Sequence, residues 1–136
     1  IGRAEALVQE ARDAGRQAVY LMHYPPLWAD GTPYDRPGHD IVNNAELLDS
    51  LRRAPPHLVL HGHNHQCWRT DLVVPGGAVP VVNCGTTSAV SPLPDRTAGY
   101  FLYELEGGVL RSARRRMLLA EEEGWQDHPG DFAATA

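Results

Sequence analysis

The sequence predicts an α/β (α+β) sandwich, a βαβ unit followed by mostly antiparallel strands. Three observations carry this. Helix-period segments alternate with short apolar runs as far as residue 61, strand-like runs joined by Gly-rich turns follow from residue 66, and 136 residues suffice for one domain. Ala4, Leu7, Val8, Ala11 and Ala14 recur at helical spacing over residues 3–14, and Gly15 is the stop signal. Residues 17–22 (QAVYLM) read as a short buried strand that ends at His23. Residues 24–39, with Pro25, Pro26, Pro33, Pro37, Gly31 and Gly38, form a long irregular loop, a length usually reserved for function or disorder. Asn43 with Glu46 three residues on resembles a capping box and opens a second helix, whose apolar face is Leu47, Leu48 and Leu51 and which Pro55-Pro56 ends. Residues 57–61 (HLVLH) are a second buried strand. Strands 17–22 and 57–61 are therefore expected as parallel neighbours, with helix 43–53 as a right-handed crossover. Strands follow at 66–74, 79–83, 99–106 and 109–119, and the turns Pro75-Gly76-Gly77 and Gly107-Gly108 predict hairpins. Residues 1–120 are read as domain, and 121–136, a Glu triplet followed by Pro and Gly, as a mobile tail.

Composition excludes several function classes. A hydrophobic fraction of 43% against 21% charged residues is that of a packed domain. Twelve basic and seventeen acidic residues give a net charge of −5, which argues against a nucleic-acid coat or an anionic membrane as main partner. Every basic residue is Arg, so Schiff-base and P-loop lysine chemistry are excluded. The longest apolar run, about five residues from Ala18 to Met22, is far short of the roughly 20 that span a bilayer. Cys67 and Cys84 form no CxxC pair and no disulfide framework, which points to a reducing cytoplasm.

The strongest chemical signal is His61-Gly62-His63-Asn64-His65, placed where a buried strand ends. Active groups favour that end of strands in α/β sheets. In an extended segment His63 and His65 would face one site, and Gly62 permits a turn there. Neutral imidazoles suit Zn, Fe, Ni or Mn, while the alternative reading is a set of hydrogen-bonded surface histidines. His23 ends the other buried strand, and Tyr24-Pro25-Pro26 forces the chain out of the sheet. Neighbouring strands about 5 Å apart would let His23 reach the site of His63.

His23-Tyr24-Pro25-Pro26, a loop and a helix, then Leu58 to His65 with its G-H-x-H, and finally Val81-Val82-Asn83-Cys84-Gly85-Thr86, resemble the calcineurin-like metallophosphoesterases. The H-x-P-P form with a long loop looks most like the bacterial cyclic-nucleotide phosphodiesterase branch. The resemblance covers roughly residues 16–110. It implies a four-layer αββα sandwich with two divalent metal ions (Mn, Fe, Zn or Ni) and hydrolysis of a small phosphate ester or cyclic nucleotide. His23 and His63 would bind one metal and His65 the other. The family motifs D-x-H, G-D-x-x-D and G-N-H, which supply the bridging aspartate and the leaving-group acid, are absent, and Asp35, Asp40, Asp127 and Asp131 do not stand in those patterns. With Ile1 as first residue, the chain is expected to be the C-terminal half of such a domain, partnered by a missing N-terminal half and inactive alone.

Tyr34, His39 and Asn64 are the candidate substrate-binding residues, with Asp35 and Arg36 beside them in the long loop; the alternative is solvation. Trp28 and Trp68 read as packing residues, His61 as a structural strand end, and Arg111, Arg114, Arg115 and Arg116 as the solvated side of a strand. Asn83 either supports the site or merely ends its strand. Two rival functions stand beside the hydrolase: a non-catalytic binding module on the same fold, and a mononuclear His-rich metal-binding domain.

Overall fold

The computed structural model describes residues 1–119 and 124–133. Its elements are α1 (Gly2–Asp13), β1 (Val19–Leu21), α2 (Asn44–Arg53), β2 (Leu58–His61), β3 (Cys67–Val74), β4 (Gly77–Cys84), a 3-10 turn (Pro94–Arg96), β5 (Ala98–Glu106), β6 (Val109–Leu118) and β7 (Trp125–Asp127). This is a mixed α/β structure with a four-stranded sheet in the order β1-β2-β4-β3 and a three-stranded sheet in the order β5-β6-β7.

β1 and β2 are parallel neighbours, Val19 opposite Leu58 and Leu21 opposite Leu60, as the βαβ spacing predicts. β2 also pairs parallel with β4, and β4 returns antiparallel along β3 through the Pro75-Gly76 turn. The β5–β6 hairpin closes at Gly107-Gly108, with a register shift at Glu104/Leu105. The sheets are layered. One face of the four-stranded sheet (Val59, Leu72, Val79, Val81) packs on Leu47, Leu48 and Leu51 of α2. The opposite face (Leu58, Cys67, Val82) packs on Leu110 and Ala113 of β6, with Phe101 and Tyr103 of β5 against it. Alternation along each strand produces this: successive side chains point to opposite faces, so β2 serves both cores.

Several details differ from the sequence reading. Asn43 is the N-cap of α2 but its side chain makes no capping bond, so the Asn43/Glu46 capping box does not form. Asn44 takes a different job: it is buried and its amide donates to Pro26 O and Tyr34 O at 2.9 and 3.1 Å. The long loop is therefore ordered over α2, with Pro25, Pro26, Leu27 and Tyr34 buried and a Leu27–Pro33 bridge across its neck. Arg115, expected on a solvated face, is 1% exposed: its guanidinium donates to Pro94 O and Thr97 O from between the sheets. In the segment 121–136, β7 pairs with β6 and Phe132 is buried in the inter-sheet core, structure that its weak periodicity does not announce. Residues 121–123 and 134–136 of that segment lie outside the described residues. No helix among the described residues is long and apolar enough to cross a membrane.

Candidate metal centre

β1 and β2 run parallel, so their C-terminal ends lie side by side. Met22 N donates to Leu60 O and Gly62 N to His23 O, which carries the pairing past the strand ends and sets the two histidine segments together. There His63 Nδ1 lies 3.4 Å from His23 Nε2. That is long for a nitrogen hydrogen bond. It matches the separation of about 3.3 Å expected for two nitrogens on one tetrahedral ion with metal–nitrogen bonds of about 2.0–2.1 Å. Tyr24 and His39 complete the cluster, their ring centroids 4.6 and 5.4 Å from that of His63.

The turn that presents these rings is held from beneath. Asn83, fully buried at the end of β4, donates to Gly62 O at 3.0 Å and accepts from Gly85 N at 3.1 Å. Residues 63–65 are not extended: His63 and His65 have φ of +74° and +50°. The alternation argument for His63 and His65 facing one site does not apply to that backbone. His65 is exposed, and it joins no group of three metal-ligating side chains within 4.8 Å among the described residues. Left-handed backbone at non-glycine residues is uncommon and concentrates at functional sites. His63 is held below the ordinary imidazole range, by desolvation first and then by the neighbouring His23, His39, Arg36 and His65. A neutral imidazole is the metal-ligating form.

The remaining expected residues fall at different depths. Tyr34 is 2% exposed and its hydroxyl bonds Asn64 Oδ1 at 3.1 Å, so it reaches the site through Asn64. Asp35 accepts from Trp28 Nε1 at 3.1 Å, and the Trp28 ring lies against that of Tyr34, tilted by 44°. His61 ends β2 with its ring against Trp68; burial lowers its pKa to about 4, and neither ring nitrogen has a hydrogen-bond partner. Tyr24 is the site neighbour that sequence reasoning missed, although its place directly after His23 was the available signal.

A second group lies elsewhere. Cys67, Asp95 and His128 bring a sulfur, a carboxylate oxygen and an imidazole nitrogen within 4.8 Å of one another, a set that could hold a metal ion. Burial first, and the neighbouring Asp95, push the Cys67 thiol up to about 12. Nothing in the sequence pattern joins these residues, which come from separate elements. No protein-family model matches the chain, and no curated protein matches it.

Proposed function

We propose that this chain supplies the histidine half of a metal-dependent phosphoesterase site. The observation that carries the reading is the His23–His63 nitrogen separation of 3.4 Å at the ends of two parallel strands. The donor set fits one divalent ion, with His23 and His63 as its ligands and His65 as the candidate ligand of a second. A metal there would supply Lewis-acid activation of water and neutralisation of phosphoryl charge. The chain's own residues hold and orient: Asn83 fixes the Gly62 carbonyl, Tyr34 fixes Asn64, and His39 and Asn64 rim the place where a phosphate ester would sit. Two close cations repel each other unless an anionic bridge lies between them. No carboxylate among the described residues joins His23 and His63 in a ligand group. The proposal places the bridging carboxylate and the leaving-group acid on a segment outside the described residues.

The test is hydrolysis of bis-p-nitrophenyl phosphate and cyclic AMP with Mn²⁺. The 136 residues alone should show negligible turnover, since the loss of general-acid help costs about 10²–10⁴ in rate on its own. A chain in which a segment supplying the bridging carboxylate and the acid is joined to these residues should turn over, and His63→Ala should abolish that activity. Robust turnover by the chain alone would defeat the proposal. The mononuclear reading is favoured by one fact, that two ligand atoms converge here among the described residues, and calorimetric binding of one Zn²⁺ that His23→Ala/His63→Ala abolishes and Cys67→Ser retains, with no activity even when the missing segment is supplied, would establish it.

A further inference from the structure

The Cys67 group joins three segments far apart in sequence. Cys67 opens β3, Asp95 lies in the 3-10 turn before β5, and His128 follows β7. Cys67 Sγ is 3.6 Å from Asp95 Oδ1 and 3.9 Å from His128 Nε2, and that nitrogen is 2.8 Å from Asp95 Oδ1. A nucleophilic triad would offer one imidazole nitrogen to the thiol and the other to the carboxylate. Here thiol and carboxylate face the same Nε2, while Nδ1 accepts the Gly130 amide at 2.9 Å. Donors that converge on one point, instead of running in a relay, form a ligand set.

We propose that Cys67, Asp95 and His128 bind one zinc-class divalent ion, which clamps the C-terminal segment to the start of β3 and to the turn before β5. Thiolate, imidazole and carboxylate are all zinc ligands, and the thiolate disfavours Mg, Ca and Mn. The Asp95 side chain is 50% exposed, which leaves a solvent-facing position for water as fourth ligand. On binding, the Cys67 thiol releases its proton to solvent. The His128 proton moves from Nε2 to Nδ1, which frees the Nε2 lone pair, so one proton is released per ion. The Gly130 N–H then loses its acceptor and turns away, at the loss of one exposed hydrogen bond. This site shares no residue with the His23–His63 pair and does not rest on the phosphoesterase reading.

Cobalt titration of the reduced full chain is the test. The wild type should bind one Co²⁺ at this site, read as a thiolate-to-cobalt charge-transfer band in the near ultraviolet that saturates with one ion and is displaced by Zn²⁺. Cys67→Ser should lose the band, while Cys84→Ser and the His23→Ala/His63→Ala pair should retain it. Asp95→Asn, on a half-exposed side chain that leaves the core intact, should weaken binding by at least about tenfold. The Gly130 amide resonance should shift on metal addition. A wild type without the band at saturating Co²⁺, a band that survives Cys67→Ser or requires Cys84, or an unchanged affinity in Asp95→Asn would each overturn the proposal.

Discussion

Gly99 shows how a single residue can constrain the inter-sheet space. A Cβ added there would lie 2.6 Å from Arg115 Cζ and 2.6 Å from Arg116 O, and neither can retreat easily. The guanidinium is fixed by the Pro94 and Thr97 carbonyls, and the second contact is backbone of the paired strand. Gly99→Ala should therefore destabilise the fold by about 1–3 kcal/mol, the usual cost of overpacking a filled core. Gly2→Ala, with nothing within 4 Å of the added carbon, is the control and should leave a urea melt within about 0.5 kcal/mol of wild type. Equal melts for the two variants would show that Arg115 yields. None of this was legible in the sequence, where Arg111, Arg114, Arg115 and Arg116 look alike. Alternation along β6 turns Arg115 inward with Ala113 and Met117, and the β5–β6 register then places it near Gly99. His23 and His63 were legible because strand ends and residue type are both written locally. The mutual orientation of His63 and His65 was not, because it depends on two left-handed backbone angles that no local rule assigns to histidine.

β1 and β2 are held together at their N-terminal ends by a reciprocal clasp. His57 N donates to Ala18 O at 2.8 Å, and Ala18 N donates to His57 Nδ1 at 2.9 Å. Burial first, and the nearby Arg12 charge second, lower the His57 pKa from its ordinary value. Protonating Nδ1 would also leave the Ala18 N–H without its acceptor. For a group whose folded pKa is depressed, the stabilisation is complete above the unfolded value. It is lost as pH falls through the lower folded value. Unfolding free energy should therefore decline as pH drops below about 6.5. His57→Gln should flatten part of that slope, leaving the shares due to His61 and His63, whose pKa values are also lowered. Identical slopes in urea melts of the two proteins would exclude a contribution from His57. The elements themselves were largely readable: the parallel β1–β2 pair, α2 and both hairpins follow from periodicity and Gly-rich turns. β1 is shorter than its apolar run, since only Val19–Leu21 pair in the ladder. β7 was missed because three residues, exposed at both ends, hold no period. Its pairing with β6 is a long-range property.

The whole molecule has two unequal ends. At the β3 end, the β3–β4 hairpin is flanked by α2 on one face and by the inter-sheet core on the other. At the β1 end, the sheet stops at a three-residue strand that pairs only with β2 among the described residues. Val19 and Leu21, on the face away from α2, are 41% and 73% exposed, and Leu7 of α1 is 55% exposed beside them. These side chains border a groove of about 430 Å³ between α1 and β1, lined also by Ala4, Val8 and Ala11. An unprotected edge strand presents free backbone donors and acceptors, and soluble proteins normally blunt it with charge, Pro or a bulge. β1 has none of these, and an apolar patch beside it adds a hydrophobic gain to any strand that docks. The isolated chain is therefore expected to self-associate reversibly as concentration rises, with a broad melt that depends on concentration. Leu21→Lys places a charge on the uncovered face without touching the α2 core, because Leu21 points away from Tyr20 and Met22, which pack there. Sedimentation velocity should show the wild type shifting to larger species with concentration and Leu21→Lys remaining monomeric, its secondary structure by circular dichroism unchanged. A wild type that stays monomeric across that range, with a sharp reversible melt, would mean that this edge is stable as an exposed boundary and that the chain folds as a self-sufficient unit.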